Sequence, residues 1–532
     1  MSPIVITAKR SIPPLPPPKP LPPPKLFHQR FCPSLPAYTG FSHVGYIDLE
    51  LPVTTPTSSL PAESTILLAI YYPSTFNDDL PKSERRKIIK HKAAKKEKGK
   101  IGQGARYVGG IRLPKLAVRS WVMLTGWGVT LPVIRNGGLK DFPRVIEKVK
   151  GESQSLDVIE EEDEEEDDGS QDTKHEEEKR KRYPVIIFSH GFGGSRKSHS
   201  SICGELASHG FVVVAVEHRD GSAARTYINK PPEPSKEKEE KEENGIENAS
   251  KRKASNKKRN FYAVNYVSPK DKKASPHDEN GIKIETRKSQ LAIRLAEIEQ
   301  AYHILELIND GKGDYEIHEK NLRRNGDVDW KDWKDGLYLD SVTMMGHCFG
   351  ATTALLALRS EHLGWLTQGV ILDPCVMAAI PSLATAKDAE LLQKSVLLVG
   401  SDEATTVWTE NSERINEMCR RAQEEQERAG SLCLCMTALK GSTTTHLYQT
   451  DFAVLYPNCM SALTKMGRTK PIIKPKRAIH LTARSALEFL ISTLPPQHTK
   501  FLDIIVDDSD RLLKDLVVSN ETEIGFQQQL DE

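Results

Sequence analysis

Short apolar runs alternate with polar and amphipathic stretches over most of the chain, the pattern of a largely parallel sheet covered by helices. Tyr46-Ile47-Asp48-Leu49-Glu50-Leu51-Pro52-Val53 alternates like a half-buried strand, while Ile66-Leu67-Leu68-Ala69-Ile70-Tyr71-Tyr72-Pro73 is continuously apolar, like one enclosed on both faces. These two predict an antiparallel N-terminal edge of the sheet. Pro184 to Phe188 and Phe211 to Val216 read as buried strands, with a helix over Ser198 to Ser208 between them. Strand, helix and strand on short loops predict a βαβ unit. Leu291, Leu295, Ile298, Tyr302 and Leu305 recur every three or four residues, which predicts one amphipathic helix lying on the sheet. Val342 to Met345, Gly369 to Leu372, Ser395 to Val399 and Leu432 to Met436 supply further strands. A charged helical stretch, Asn411 to Arg428, precedes the last of these, and a final helix is expected near Ala478 to Ile491.

Segments without such periods set the domain organisation. Residues 1–35 are proline-rich and predict polyproline II, read as a spacer, with an SH3 or WW ligand as the alternative. Charged inserts near 80–105, 151–182 and 231–260 cannot bury apolar surface and are expected to be disordered; Glu160 to Asp168 is wholly acidic. That leaves a single α/β domain over 36–495 and a polar tail over 496–532. Trp121 to Val129 reads as a core segment or, alternatively, a lid, and Lys251-Arg252-Lys253 as a solvated run or a nuclear signal.

Composition narrows the function classes. The 74 basic and 73 acidic side chains give a formal net charge of +1, so no overall field favours nucleic acid. The eight cysteines include no C-x-x-C pair and no zinc-ligand spacing, which argues against a disulfide scaffold or metal site. No cofactor is implied. Neither a signal-peptide core nor an apolar stretch of about 18 residues occurs, so a cytoplasmic protein is expected, with peripheral membrane contact if its substrate is a lipid.

The chemistry centres on Gly346-His347-Cys348-Phe349-Gly350, which follows an apolar strand and precedes Ala351-Thr352-Thr353-Ala354-Leu355-Leu356. A nucleophile bracketed by glycines on a strand-to-helix turn is the nucleophile elbow of the α/β-hydrolase fold. His190-Gly191-Phe192-Gly193-Gly194 follows an earlier strand, where this fold builds half of its oxyanion hole. Nucleophile, acid and histidine follow in that order in such triads. Cys348, then Asp373 or Asp402, then His446 satisfies it. The backbone N–H groups of Phe192 and Phe349 are the expected oxyanion donors. His190, His218 and Arg219 are read as supports of the site.

The blocks Tyr183-Pro184 to Gly194, Leu206 to Phe211, Val216-Glu217-His218-Arg219-Asp220-Gly221-Ser222, the elbow, and Gly441-Ser442 through His446 to Asp451-Phe452 carry a family resemblance. So do Pro36-Ala37-Tyr38-Thr39-Gly40 and Tyr71-Tyr72-Pro73. Together they resemble the platelet-activating factor acetylhydrolases of the plasma and intracellular type II group. The resemblance implies a calcium-independent phospholipase A2 activity that releases short or oxidised sn-2 acyl groups, and it favours Asp373 over Asp402 as the acid. That family has Ser where this chain has Cys348, and Gly where it has Ala351. A thiolate is an intrinsically strong nucleophile, but sulfur is larger than oxygen. The readings are therefore a Cys-dependent esterase on a lipid, a dienelactone-hydrolase-like esterase on another ester, a weakened enzyme, or a non-catalytic lipid-binding or scaffold protein.

Overall fold

The structure is a computed structural model. It describes residues 35–61, 64–74, 96–98, 130–136, 139, 182–229, 261–268, 282–323, 328–380, 394–401, 404, scattered positions from 410 to 420, 435–438, 446–456, 474–499 and 502. The proline-rich N-terminus, Trp121 to Val129, and the inserts over 151–181 and 231–260 lie outside the described residues.

In chain order the strands are β1 (His43–Pro52), β2 (Thr65–Ser74), β3 (Lys96–Lys98), β4 (Thr130–Arg135) and β5 (Tyr183–Ser189), followed after a helix by β6 (Val212–Val216), β7 (Arg225–Asn229) and β8 (Phe261–Asn265). Then come β9 (Leu337–His347), β10 (Leu366–Leu372), β11 (Ser395–Val399) and β12 (Cys435–Ala438). The helices are α1 (Ser200–Ser208), α2 (Ile284–Asn309), α3 (Phe349–Leu358), α4 (Asp451–Leu455), α5 (Pro475–Thr493) and α6 (Pro496–Thr499).

Ten of these strands form one sheet in the order β12-β11-β10-β9-β5-β6-β2-β1-β4-β3, and β7 and β8 form a separate antiparallel pair. β2 is antiparallel to both β1 and β6, and β5, β6 and β9 to β12 are mutually parallel. Omitting the two edge strands β3 and β4, this is the sheet order of the α/β-hydrolase fold. Strand alternation divides the core between the two faces. Val185, Ile187, Val212 and Val214 pack with Leu305 of α2 and Leu355 of α3, whereas Ile186, Phe188, Val213 and Ala215 pack with Leu206 of α1 and Leu487 of α5.

One expectation is corrected, that for β1. β1 is not half-solvated: Asp48 and Glu50, the polar members of its alternation, are both buried. The insert near 80–105 contributes β3, which pairs with β4 and so moves the sheet edge away from β1. The tail begins with α6, whose buried His498 stacks on Tyr338 at 3.8 Å.

Asp48 and Glu50 tolerate burial because each faces a guanidinium. Arg196 donates from Nε to Asp48 Oδ1 at 2.6 Å and also contacts Glu217, while Glu50 receives Arg219 at 2.8 Å and Arg323 at 2.9 Å. Burial is the largest single influence on Asp48 and opposes its ionisation, but the charges of Arg196, Lys197 and Arg323 together with the Arg196 hydrogen bond outweigh it and hold this carboxyl well below the usual carboxylate range. Glu50 and Glu217 are lowered in the same way, by Arg219 and Arg196 respectively. Among the described residues, no helix is long and apolar enough to cross a membrane.

These carboxylates bind protons less readily folded than unfolded, so their stabilisation is complete above about pH 5 and is lost as pH falls below about 4. Asp48→Asn should lower unfolding stability at pH 7 by about 3 kcal/mol and flatten the acid limb of Tm against pH. Thermal unfolding of both proteins from pH 7 to 3 measures this; an unchanged acid limb contradicts it.

Candidate active site

Cys348 is the single residue between β9 and α3, with φ 58° and ψ −121°. A positive φ is strained for any residue with a Cβ, so the surroundings must impose it. The Cys348 N–H donates to Leu372 O at the end of β10 at 2.8 Å, and its carbonyl accepts the Ala351 N–H at 2.9 Å. The flanking glycines are needed for close approach. A Cβ on Gly346 would lie 2.1 Å from Gly350 O, and one on Gly350 would lie 2.0 Å from Ser189 O. Ala351 is fully buried in the core that packs between the sheet and α2 and α3.

The loop after β5 packs directly on this turn: a Cβ on Gly191 would lie 2.6 Å from Cys348 Cβ. His190 shapes the loop. Its Nε2 accepts the His218 N–H at 3.0 Å, which leaves Nδ1 to donate to Gly191 O at 2.8 Å. Burial pushes His190 down to about 4, so this tautomer is uncharged at neutral pH. The rings of Phe192 and Phe349 stack at 4.6 Å, which sets the two predicted oxyanion residues side by side. Arg287 lies over Phe192 at 4.1 Å and Arg294 over Phe349 at 4.6 Å, both as cation–π contacts.

Arg294, from α2, joins every part of this framework. It donates from Nε to Asp220 Oδ2 at 2.7 Å, from Nη2 to Ser222 Oγ at 2.5 Å, and from Nη1 to His190 O at 2.9 Å and Thr353 Oγ1 at 3.2 Å. Burial opposes the charge on Asp220, but Arg294 and Ser222 outweigh it and lower this carboxyl. Alongside lies a second Ser-His-acid array. Ser189 Oγ is 2.7 Å from His218 Nε2, and His218 Nδ1 is 2.6 Å from Glu297 Oε2. All three residues are fully enclosed, and Arg294 Nη1 also reaches Ser189 Oγ at 3.2 Å, so this array is a support beneath the site. Burial raises Glu297 to about 8 and drives His218 well down, which makes them a neutral hydrogen-bonded pair.

Asp373 directly follows β10 with φ 46°; its N–H donates to Val399 O at 3.0 Å, and its Oδ1 accepts the Ser401 N–H at 2.5 Å. The carboxylate thus lies at the same sheet rim as Cys348, whose N–H is bonded to the residue just before Asp373. His446 is buried at the start of a 3-10 helix, His446–Gln449. His347, the neighbour of Cys348, donates from Nε2 to His446 O at 3.1 Å, and the two rings stack at 5.4 Å. Asp451 anchors the same segment to α1. Its Oδ2 accepts the Ser200 N–H at 2.8 Å, and its Oδ1 accepts the Ser201 N–H at 3.0 Å. Burial nonetheless raises Asp451 to about 6. Asp402 lies outside the described residues.

Two groups at the site were not anticipated from sequence. Cys375, fully buried, has its sulfur 3.4 Å from that of Cys348; a single cysteine three residues past a strand carries no sequence signal. The arginines did leave one. Arg287 and Arg294 are seven residues apart and interleave with Leu291 and Ile298, so they share the apolar stripe of α2. Charged residues in such a stripe mark a buried polar framework.

A strand, a strained cysteine turn and a helix at the centre of this sheet, with a His-Gly loop against the turn, define an α/β-hydrolase with an elbow cysteine. The family model described as platelet-activating factor acetylhydrolase, isoform II, matches residues 166–503. The chain is 27% identical over 310 residues to a platelet-activating factor acetylhydrolase of Gallus gallus, covering 58% of this chain and 62% of that one. It is 32% identical over 194 residues to that of Cavia porcellus, covering 36% and 35% respectively. A putative phospholipase A2 of Schizosaccharomyces pombe is 53% identical over 53 residues, covering 10% of this chain and 12% of that one. The chain belongs to the family of platelet-activating factor acetylhydrolase, isoform II. It spans less than two thirds of the length of these relatives.

Gly350→Ala forces a methyl group against the Ser189 carbonyl and should reduce unfolding stability by about 1–3 kcal/mol. Urea denaturation measures this; a midpoint equal to wild type would show that the turn and the β5 loop are not in this close contact.

Proposed function

We propose that the protein is a carboxylic ester hydrolase acting on phospholipids, releasing short or oxidised sn-2 acyl groups without calcium through a covalent acyl-enzyme on Cys348. The observation that carries this reading is the strained cysteine turn at the rim of the sheet, pressed against the Gly191 loop. Family membership and the printed names of the relatives support the ester class and the phospholipid substrate.

In this reading His446 takes the Cys348 proton as the sulfur attacks the ester carbonyl. Asp373 orients the imidazole and stabilises its charged form. The tetrahedral oxyanion is held by the Phe192 and Phe349 N–H groups, each worth about 3 kcal/mol. Collapse expels the lyso-lipid alcohol, which receives the proton from His446. Water, deprotonated by His446, then attacks the thioester, releases the acid and restores the thiol. The helix N-terminus beyond Cys348 and the nearby Arg287 both favour the thiolate.

Purified protein should hydrolyse a short-chain p-nitrophenyl ester and an acetylated ether phospholipid in the presence of a calcium chelator. Cys348→Ala and His446→Ala should each lower kcat/KM by roughly a thousandfold or more, and iodoacetamide should abolish turnover. Cys348→Ser measured beside wild type discriminates further: a loss marks a site tuned to sulfur, whereas a large gain marks a serine site weakened by the exchange. No turnover by either protein on both esters would favour a lipid-binding or scaffold role.

A further inference from the structure

Two thiols meet where one nucleophile would suffice. Cys348 and Cys375 lie with their sulfurs 3.4 Å apart, and both are enclosed by Leu291, Phe349, Val376 and Ala379. The surrounding backbone holds this approach. Cys348 N–H is bonded to Leu372 O, three residues before Cys375, and Thr352 Oγ1, on α3, donates to the Cys375 carbonyl. A disulfide needs a sulfur separation of about 2.05 Å, so side-chain rotation of little more than 1 Å would close the pair.

We infer that Cys348 and Cys375 form a peroxide-oxidisable dithiol, in which Cys348 is the attacking sulfur and Cys375 the resolving one. The Cys348 thiolate attacks one oxygen of hydrogen peroxide or an organic hydroperoxide. The O–O bond breaks, leaving a sulfenic acid on Cys348 and expelling hydroxide or an alkoxide, which takes up the proton that the thiol lost on ionising and leaves as water or an alcohol. The Cys375 sulfur then attacks the sulfenic sulfur, the S–O bond breaks, and the Cys375 proton leaves with the hydroxyl group as water. Two thiols are oxidised to one disulfide and one peroxide is reduced.

The environments assign the two roles. Burial raises Cys375 well above the usual thiol range, so it keeps its proton and donates the hydrogen bond to Cys348. Cys348 sits at the N-terminus of α3 and near the Arg287 guanidinium, where negative charge is favoured. Access rests on the hydrolase reading: an opening that admits an ester admits a peroxide. Cys203, buried on α1, has no such partner described and is an internal reference.

The full-length protein would be treated with hydrogen peroxide, alkylated and mapped by peptide mass spectrometry. The expected result is one linked peptide pair, Cys348 to Cys375, with the loss of two hydrogen atoms, reversed by dithiothreitol, while Cys203 remains alkylatable. In Cys375→Ser the linkage is absent and Cys348 proceeds to sulfinic acid, which dithiothreitol does not restore. Sulfinic acid on wild-type Cys348 with Cys375 still alkylatable overturns the inference. So does survival of both thiols at peroxide levels that oxidise glutathione. The linkage is read by mass, so failure to hydrolyse esters leaves its outcome distinct.

Discussion

The site depends on one buried cation. Arg294 is fully enclosed, yet its guanidinium reaches the Asp220 carboxylate, the Ser222 hydroxyl, the His190 carbonyl and Thr353 of α3. These belong to three separate segments: the loop after β6, the His-Gly loop after β5, and the helix that follows the elbow. An ordinary apolar core resists compression but does not fix the direction of a backbone carbonyl. A planar fork with several hydrogen bonds does, and the penalty of leaving any one of them unmade in a low-dielectric interior enforces the arrangement.

This rigidity explains how a strained residue persists at the rim. Cys348 holds a positive φ because β5 and β10 close on it from both sides and the Gly350 backbone presses on the Ser189 carbonyl. The turn presents the Cys348 sulfur with a second thiol, that of Cys375, 3.4 Å away. Ala351, in the first turn of the helix that follows, is fully buried in the core.

The Glu217-His218-Arg219-Asp220 block also takes on physical meaning. Each of its four side chains contacts a different buried partner: Arg196, Glu297, Glu50 and Arg294. The block is thus a junction linking β1, α2 and the β5 loop. Its polar letters resemble catalytic groups in sequence, and Ser189-His218-Glu297 even reproduces triad connectivity, but Ser189 lies within β5 and its hydroxyl is held by both His218 and Arg294.

The apolar runs determined the strands and the period of α2, because burial of a strand or helix face is written locally at spacings of two or of three and four. The Gly-x-Cys-x-Gly turn and the His-Gly loop were legible for the same reason: steric demands at a tight turn fall on adjacent residues. Chain order alone nominated Cys348, then Asp373 or Asp402, then His446 as candidates. Only the tertiary structure decided that Asp48 and Glu50 face inward, that Arg294 binds the loops together, that His446 lies against His347, and that Cys375 meets Cys348. Each of these is a pairing across tens to hundreds of residues, set by where parallel strands bring distant loops together, and no local period encodes such a meeting.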